Sequence, residues 1–165
     1  MGRVPMPPIT AILHTHNDAA RLGRALETLH PCDEILIVDH GSTDATLHVA
    51  RQHAARIAIV APGQTPSDQA AAARHDWLLC LLPSESLSEG LQASLFEWKL
   101  YEPANLRGVF AGSVRVKRET EQGWEECAPS TRLVPRDWER WNGPLPAHDL
   151  RSLLLQGDLL RFRRP

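Results

Sequence analysis

The sequence predicts an α/β fold on a mixed, mainly parallel sheet, and three observations carry that prediction. Strand-like and helix-like segments alternate from Ile9 to Leu100, the pattern of β-α-β units with right-handed crossovers. Glu34-Ile-Leu-Ile-Val-Asp39 is apolar on both faces, as a strand is when helices cover both sides of a parallel sheet. After about residue 103 the style changes to longer stretches that read as antiparallel strands.

Each element follows from its residues. Ile9-Thr-Ala-Ile-Leu-His14 reads as a buried strand. Asn17 or Asp18 then caps a helix, because a short side-chain oxygen satisfies free amides of the first turn. Leu22, Ala25, Leu26 and Leu29 form one apolar stripe, and Pro31 stops it. Glu34–Asp39 is the second strand, and Gly41-Ser-Thr-Asp44 is a turn that opens a helix through about His53, with Leu47, Ala50 and Ala54 inward. Arg56–Val60 is a third strand, broken by Pro62-Gly63. Ala70–Arg74 is a short helix, Trp77–Leu82 a fourth strand, and Ser88–Leu100 a helix with Leu91, Leu95 and Trp98 on one face. Gly108–Arg118 and Trp124–Val134 are antiparallel strands joined by a polar hairpin, Glu119–Gly123. The expected organisation is one domain over residues 1–165, with one half at about 9–102 and a second at about 103–165.

Composition sets the limits. A chain of 165 residues suits one domain with a single core. Its net charge of −2 supplies no basic field for nucleic acid, and no apolar run reaches the 18 or so residues of a membrane span. Met1–Pro8 does not read as a secretory signal, and Met6 stands where a myristoylation motif wants Ser or Thr. Cys32, Cys80 and Cys127 are too scattered for a disulfide framework or a zinc pattern, so a reducing cytoplasm is expected. Arg161, Arg163 and Arg164 form a basic tail that reads as solvated, with phosphate groups of a lipid acceptor at the inner membrane face as the alternative.

In an open parallel sheet, ligands bind beyond the carboxyl ends of the strands. That edge carries His14-Thr-His-Asn-Asp18, Asp39-His-Gly-Ser-Thr-Asp44 and Leu82-Pro-Ser-Glu85. Asp39 ends its strand where a base or ribose would lie, and a carboxylate there can accept from ring N–H or hydroxyl groups. The bland alternative is that Asp39 and Asp44 only shape a turn. His14, His16 and His40 could together bind a transition metal, although histidines so placed more often cap or face solvent. Trp124, Trp138 and Trp141 could stack on sugar faces; core packing is the expectation for them.

These residues resemble the family 2 glycosyltransferases. Ile9–Asp18 is similar to the opening strand and T-Y-N-E turn of that family, and Asp33–Thr46 is similar to its D-E-I-V-V-V-D-S-G-S-T-D-x-T segment almost residue for residue. Asp76–Leu81 resembles the D-W-V-L-F-L strand that leads into its Asp-x-Asp. Arg132-Leu-Val-Pro-Arg136 and Arg140-Trp-Asn-Gly143 resemble stretches of the subgroup acting on lipopolysaccharide cores. The resemblance implies a GT-A-like, Rossmann-type three-layer sandwich, a nucleotide-diphosphate-sugar ligand (a UDP-sugar first), and transfer to a hydroxyl of a saccharide or lipid-linked acceptor. By position it implies Thr15 and Asp18 flanking the nucleotide, Asp39 on the base and Asp44 supporting the pocket, with Ser84 and Glu85 facing it from the fourth strand.

The departures from the family pattern bear on activity. The family holds Mg or Mn on its Asp-x-Asp; alignment on Trp77 puts Leu82 and Ser84 on those carboxylates, so no metal ligand is assigned. Arg132, Arg136 or Arg140 would then stabilise the leaving diphosphate. Where relatives carry V-H-E, whose Glu is the base, this chain reads Leu145-Pro-Ala147, and His148 or Asp149 would serve after a shift of two residues. Weakened transfer, or a pseudoenzyme that only binds a nucleotide or a partner, is the resulting expectation. A dinucleotide enzyme is disfavoured because no G-x-G-x-x-G follows the first strand.

Overall fold

The computed structural model describes residues 7–100 and 110–165; the readings made for Met1–Met6 and for the first residues of the Gly108–Arg118 strand fall outside them. The first part alternates as the sequence predicts: β1 (Ile9–Thr15), α1 (Ala19–Leu26), β2 (Glu34–Asp39), α2 (Thr46–Gln52), β3 (Arg56–Ile59), α3 (Pro66–Ala71) and β4 (Trp77–Leu81). β2 and β4 pair parallel to β1 on either side, with Ile12 opposite both Leu36 and Cys80, and β3 pairs parallel to β2. There follow β5 (Glu85–Leu87), α4 (Glu89–Trp98), the hairpin β6 (Gly112–Thr120) and β7 (Gly123–Pro135), a short pair β8 (Trp141–Asn142) and β9 (Leu145–Pro146), and β10 (Leu153–Arg161).

Eight strands form one sheet in the order β3-β2-β1-β4-β7-β6-β10-β5. β7 runs antiparallel to β4 and β6, β10 parallel to β6, and β5 antiparallel to β10. Although β5 begins only four residues after β4 ends, it lies at the far edge of the sheet. The sheet therefore curls back on itself. Contacts with α1 hold the curl: Leu87 donates its amide to Thr28 Oγ1 at 3.0 Å and Ser86 its hydroxyl to the Arg24 carbonyl at 3.3 Å.

Apolar residues fill both sides of the sheet. Leu22, Ala25, Leu26 and Leu29 join Leu91, Leu95 and Trp98 of α4 on one side, against Leu13, Ile37, Leu79 and Leu133. Ile12, Leu36, Leu78 and Cys80 face Ala70, Ala73 and Trp138 on the other. Each fully buried leucine contributes about 1.5–3 kcal/mol. Burial pushes the Cys80 thiol up to about 12, so it is an inert core group.

Several expectations are corrected. α3 starts at Pro66, before the expected Ala70, because Thr65 and Asp68 form a reciprocal capping box and Pro66 suits the first helical position. Neither Asn17 nor Asp18 caps α1; Asp44 accepts the Ala19 amide at 3.2 Å from across the loop. Ala54 is exposed, with φ +55° just past the end of α2. Trp124 is 48% exposed rather than packed in the core. β5, β8, β9 and β10 were not expected at all. The basic tail is stitched down: Arg161 pairs with Glu85 and Arg163 with Glu121.

Candidate active-site edge

The carboxyl ends of β1, β2 and β4 converge on one edge, and its loops are built by a dense hydrogen-bond network. Asn17 takes the left-handed conformation (φ +53°), which asparagine tolerates better than most residues. Its side-chain oxygen accepts the amides of Thr43 (2.7 Å) and Asp44 (3.3 Å). Asp44 in turn accepts the amides of Ala19 and Thr46 and the Thr46 hydroxyl, so one carboxylate serves the first turns of α1 and α2. The Thr46 bond, with help from those amides, holds Asp44 below the usual carboxylate range. Asp18 accepts the His16 amide at 2.8 Å and faces Arg21.

Asp39 lies beneath this network. It is 1% exposed and accepts from the Thr15 hydroxyl (2.8 Å), the Ser42 hydroxyl (2.5 Å) and the amides of Gly41 (3.1 Å) and Ser42 (2.9 Å). Burial pushes its pKa up, but these four donors outweigh it and hold the group ionised below its ordinary value. With four donors on its two oxygens, Asp39 shapes the β2–α2 turn, which is the bland alternative the sequence offered for it. Thr15, buried against it, is likewise a support rather than a surface group.

What faces outward is a cleft of about 400 Å³ lined by His14, His16, His40, Gln64, Gln69 and the Gly143-Pro144 tip of the β8–β9 hairpin. His14 Nδ1 lies 2.8 Å from His40 Nε2, and a ring nitrogen of His16 lies 3.0 Å from the His40 carbonyl. The imidazoles are thus engaged with each other and with backbone. Among the described residues no group of three or more His, Cys, Asp or Glu side chains is placed to hold a metal ion. Burial, then the charge of His40, lowers the His14 pKa to about 4. Protonation of His14 is therefore disfavoured in the folded chain, and its contribution to stability, complete above pH 6.5, is lost as the pH falls from 6.5 to 4. Urea titrations at pH 7 and pH 4.5 should show wild type losing more stability than His14→Asn, by at most about 3 kcal/mol. Equal losses would show that this ring titrates normally.

The end of β4 departs from the cation-binding pattern in a definite way. Leu82-Pro-Ser-Glu85 forms a tight turn in which the Glu85 amide donates to the Leu82 carbonyl at 3.0 Å and Glu85 accepts the Leu82 amide at 2.7 Å. Glu85 is fully buried, bidentate to Arg132 at 2.7 and 2.9 Å, and also bonded to Arg161 at 3.0 Å. Leu82 offers no ligand atom and Ser84 a single hydroxyl. A hard divalent cation needs several oxygen ligands, and this donor set does not fit one. Burial alone would raise the Glu85 pKa; the hydrogen bond and charge of Arg132 outweigh it and lower the value.

This pairing corrects the expected roles of Glu85 and Arg132. Gly112 pairs with Leu133 and Ser113 with Thr131, so Arg132 is the extra residue of a β-bulge. The bulge turns its guanidinium inward, onto Glu85 and the Cys80 carbonyl, where it cannot meet a diphosphate. Arg136 also misses the edge: it bonds Ala73 and Asp76 at the amino end of β4. Arg140 is 54% exposed and paired with Asp149, the residue next to His148. Asp149 is buried, and its bond to Arg140, then the Arg151 amide, hold its pKa at about 2. So acidic a group is a poor base near neutral pH. His148 is exposed, with Nδ1 3.1 Å from Thr131 Oγ1. Gln64, Gln69 and Pro144 were missed as lining residues, because their positions depend on the β3–α3 loop and the β8–β9 hairpin, neither of which has a periodic signal.

Residues 10–81 match the family described as Glycosyl transferase family 2. The chain is 37% identical over 92 residues to an uncharacterized glycosyltransferase of Rickettsia felis, covering 53% of this chain and 32% of the relative. It is 40% identical over 50 residues to the lipopolysaccharide core biosynthesis glycosyltransferase LpsC of Rhizobium meliloti, covering 30% of this chain and 18% of that one. The chain thus spans about a third or less of these curated relatives. The fold is similar to glucosyl-3-phosphoglycerate synthase from Mycobacterium tuberculosis, solved with Mn2+, UDP and glucosyl-3-phosphoglycerate, with a TM-score of 0.51 and 20% identity over 66% of this chain and 44% of that one.

Proposed function

We propose that this chain, whose residues 10–81 match glycosyl transferase family 2, is a member of that family and binds a nucleoside-diphosphate sugar, a UDP-sugar first, at the β1–β2–β4 edge without a divalent cation. The observation that carries the reading is the β4 turn, where the cation ligands are gone and Glu85 is tied to two arginines. Residues of about 9–102 form the nucleotide side. The cleft walled by His14, His40 and Gln69 falls within the usual size of small-molecule sites, about 300–1,000 Å³. Residues of about 103–165 supply the acceptor side. No helix among the described residues is long and apolar enough to cross a membrane, and the three free cysteines suit a reducing cytoplasm.

Transfer, where it occurs, uses two groups of this chain. His148 takes the proton of an acceptor hydroxyl, the freed oxygen bonds to the anomeric carbon, and the bond from that carbon to the diphosphate oxygen breaks. Arg140, exposed and paired with Asp149 beside His148, is the arginine of the three expected that we assign to the departing charge. One guanidinium replaces a doubly charged cation, so transfer is weakened. The same loss favours the second reading, a non-catalytic binder. Assays for hydrolysis and transfer of the bound sugar separate the two.

Calorimetric titration with UDP and UDP-sugars should give the same affinity with and without manganese. The double variant Leu82→Asp/Ser84→Asp should gain a manganese dependence. Manganese-dependent binding by the wild type would overturn the cation-free reading, and no binding of any nucleotide would overturn the ligand class.

A further inference from the structure

A chain of hydroxyls runs under His148. Thr131 Oγ1 lies 3.1 Å from His148 Nδ1 and 3.0 Å from Ser113 Oγ. Ser113 Oγ contacts Ser152 Oγ, and Ser152 Oγ lies 2.5 Å from the Asp149 carbonyl oxygen. Thr131 and Ser113 are buried, so this order is not diluted by solvent. The Asp149 amide also donates to Thr131 Oγ1 at 2.9 Å.

The direction of every proton in this chain follows from its far end. A carbonyl oxygen only accepts, so Ser152 gives its one hydroxyl hydrogen to Asp149. Ser152 must then accept from Ser113, which uses the one hydrogen Ser113 has. Thr131 then gives its one hydrogen to Ser113 at 3.0 Å, or to Ser152 at 3.4 Å, and in either case that hydrogen is not left for His148. The remaining contact, Thr131 with His148, can hold a hydrogen only if His148 Nδ1 brings it. Thr131 has room: it then accepts from His148 and from the Asp149 amide.

We propose that Ser152, Ser113 and Thr131 form a one-way hydroxyl chain that locks His148 in its Nδ1–H tautomer and leaves the Nε2 lone pair free. Nε2 is then the atom that takes the acceptor proton, and the three hydroxyl residues are positioning residues. The catalytic meaning rests on the transferase reading above; the tautomer itself does not.

Nitrogen-15 NMR of the histidine rings at neutral pH tests it, with the His148 signal identified by its loss in His148→Gln. Wild type should show one fixed form, Nδ1 protonated and Nε2 not. Thr131→Val should lose that form, and Thr131→Ser should keep it. Ser152→Ala is the sharper test, because no hydrogen bond joins Ser152 to His148 in the structure. Without Ser152 the hydrogens of Ser113 and Thr131 can reverse, and His148 should become a mixture of both tautomers. A wild-type ring averaging between tautomers, or an Nε2–H ring, overturns the proposal, and so does a Ser152→Ala protein with the Nδ1–H form intact. Transfer assays on the same proteins read the proposed function separately: a locked ring without transfer sustains the chain and removes the transferase reading.

Discussion

Glu85→Ala is expected to destabilise the protein by about 3–5 kcal/mol, the cost typical of removing one partner from a buried ion pair. The reason is what stays behind. Arg132 is 1% exposed, and Glu85 accepts two of its four hydrogen bonds, the others going to Ser130 and the Cys80 carbonyl. Without the carboxylate a guanidinium remains buried with no counter-charge. The Leu82 amide loses its acceptor as well, so the β4 turn loosens at the same time. Glu85→Gln keeps the volume and an acceptor oxygen but not the charge, and should fall between the two. Urea unfolding at neutral pH measures both. A loss below about 1 kcal/mol for Glu85→Ala would show that water enters and solvates Arg132, contrary to its burial.

Gly157→Ala is the second large effect, roughly 3–5 kcal/mol, from backbone strain added to overpacking. Gly157 has φ +93°, and a Cβ there would lie 2.2 Å from the Leu91 amide nitrogen and 2.5 Å from the Gly90 carbonyl carbon. Those are backbone atoms in the first turn of α4 and cannot swing aside. Ser88 stitches the same crossing, exchanging bonds with Asp158. The substitution should lift α4 from β10. Gly63→Ala provides the comparison: φ is +81° but nothing lies within 4 Å, so it should carry only the conformational cost, about 1 kcal/mol. Thermal unfolding of the two variants isolates the steric part; equal midpoints would show that α4 and β10 are not in this contact.

The first part of the fold was legible because its signals are local. Leu22, Ala25, Leu26 and Leu29 declare a helix face, and Glu34–Asp39 declares a strand covered on both sides. Even the start of α3 was there to be read in Thr65-Pro-Ser-Asp68, a capping box with proline at the first helical position. β5 and β10 were not legible. Glu85-Ser-Leu87 is three residues long and is a strand because β10 pairs with it; β10, which lies between β6 and β5, has a register irregularity between Leu154 and Asp158 that breaks its alternation. The site divides in the same way. Sequence brought Thr15, Asp18, Asp39 and Asp44 to one edge, since the ends of β1 and β2 fix them. It could not tell a ligand-facing carboxylate from one closed by four donors, because Asp39 depends on where Thr15 and Ser42 point. Arg132 was misread because a bulge one residue long reverses the side of a strand on which a side chain falls.

The placement of β10 also governs how the molecule can be assembled. Glu85 meets Arg161 at a sequence separation of 76, and among the described residues β5 has no strand neighbour but β10. As the chain leaves the ribosome, the parallel β1–β4 region can pair early, but β5 must wait, with an edge unpaired, until β10 has been synthesised. Closing so long a loop is entropically costly before any contact rewards it. Pairing of β10 with β5 therefore comes late; it completes this side of the sheet and adds Arg161 to the Glu85–Arg132 pair at the end of β4, so a nascent chain halted short of Arg161 holds its nucleotide edge on an unfinished support.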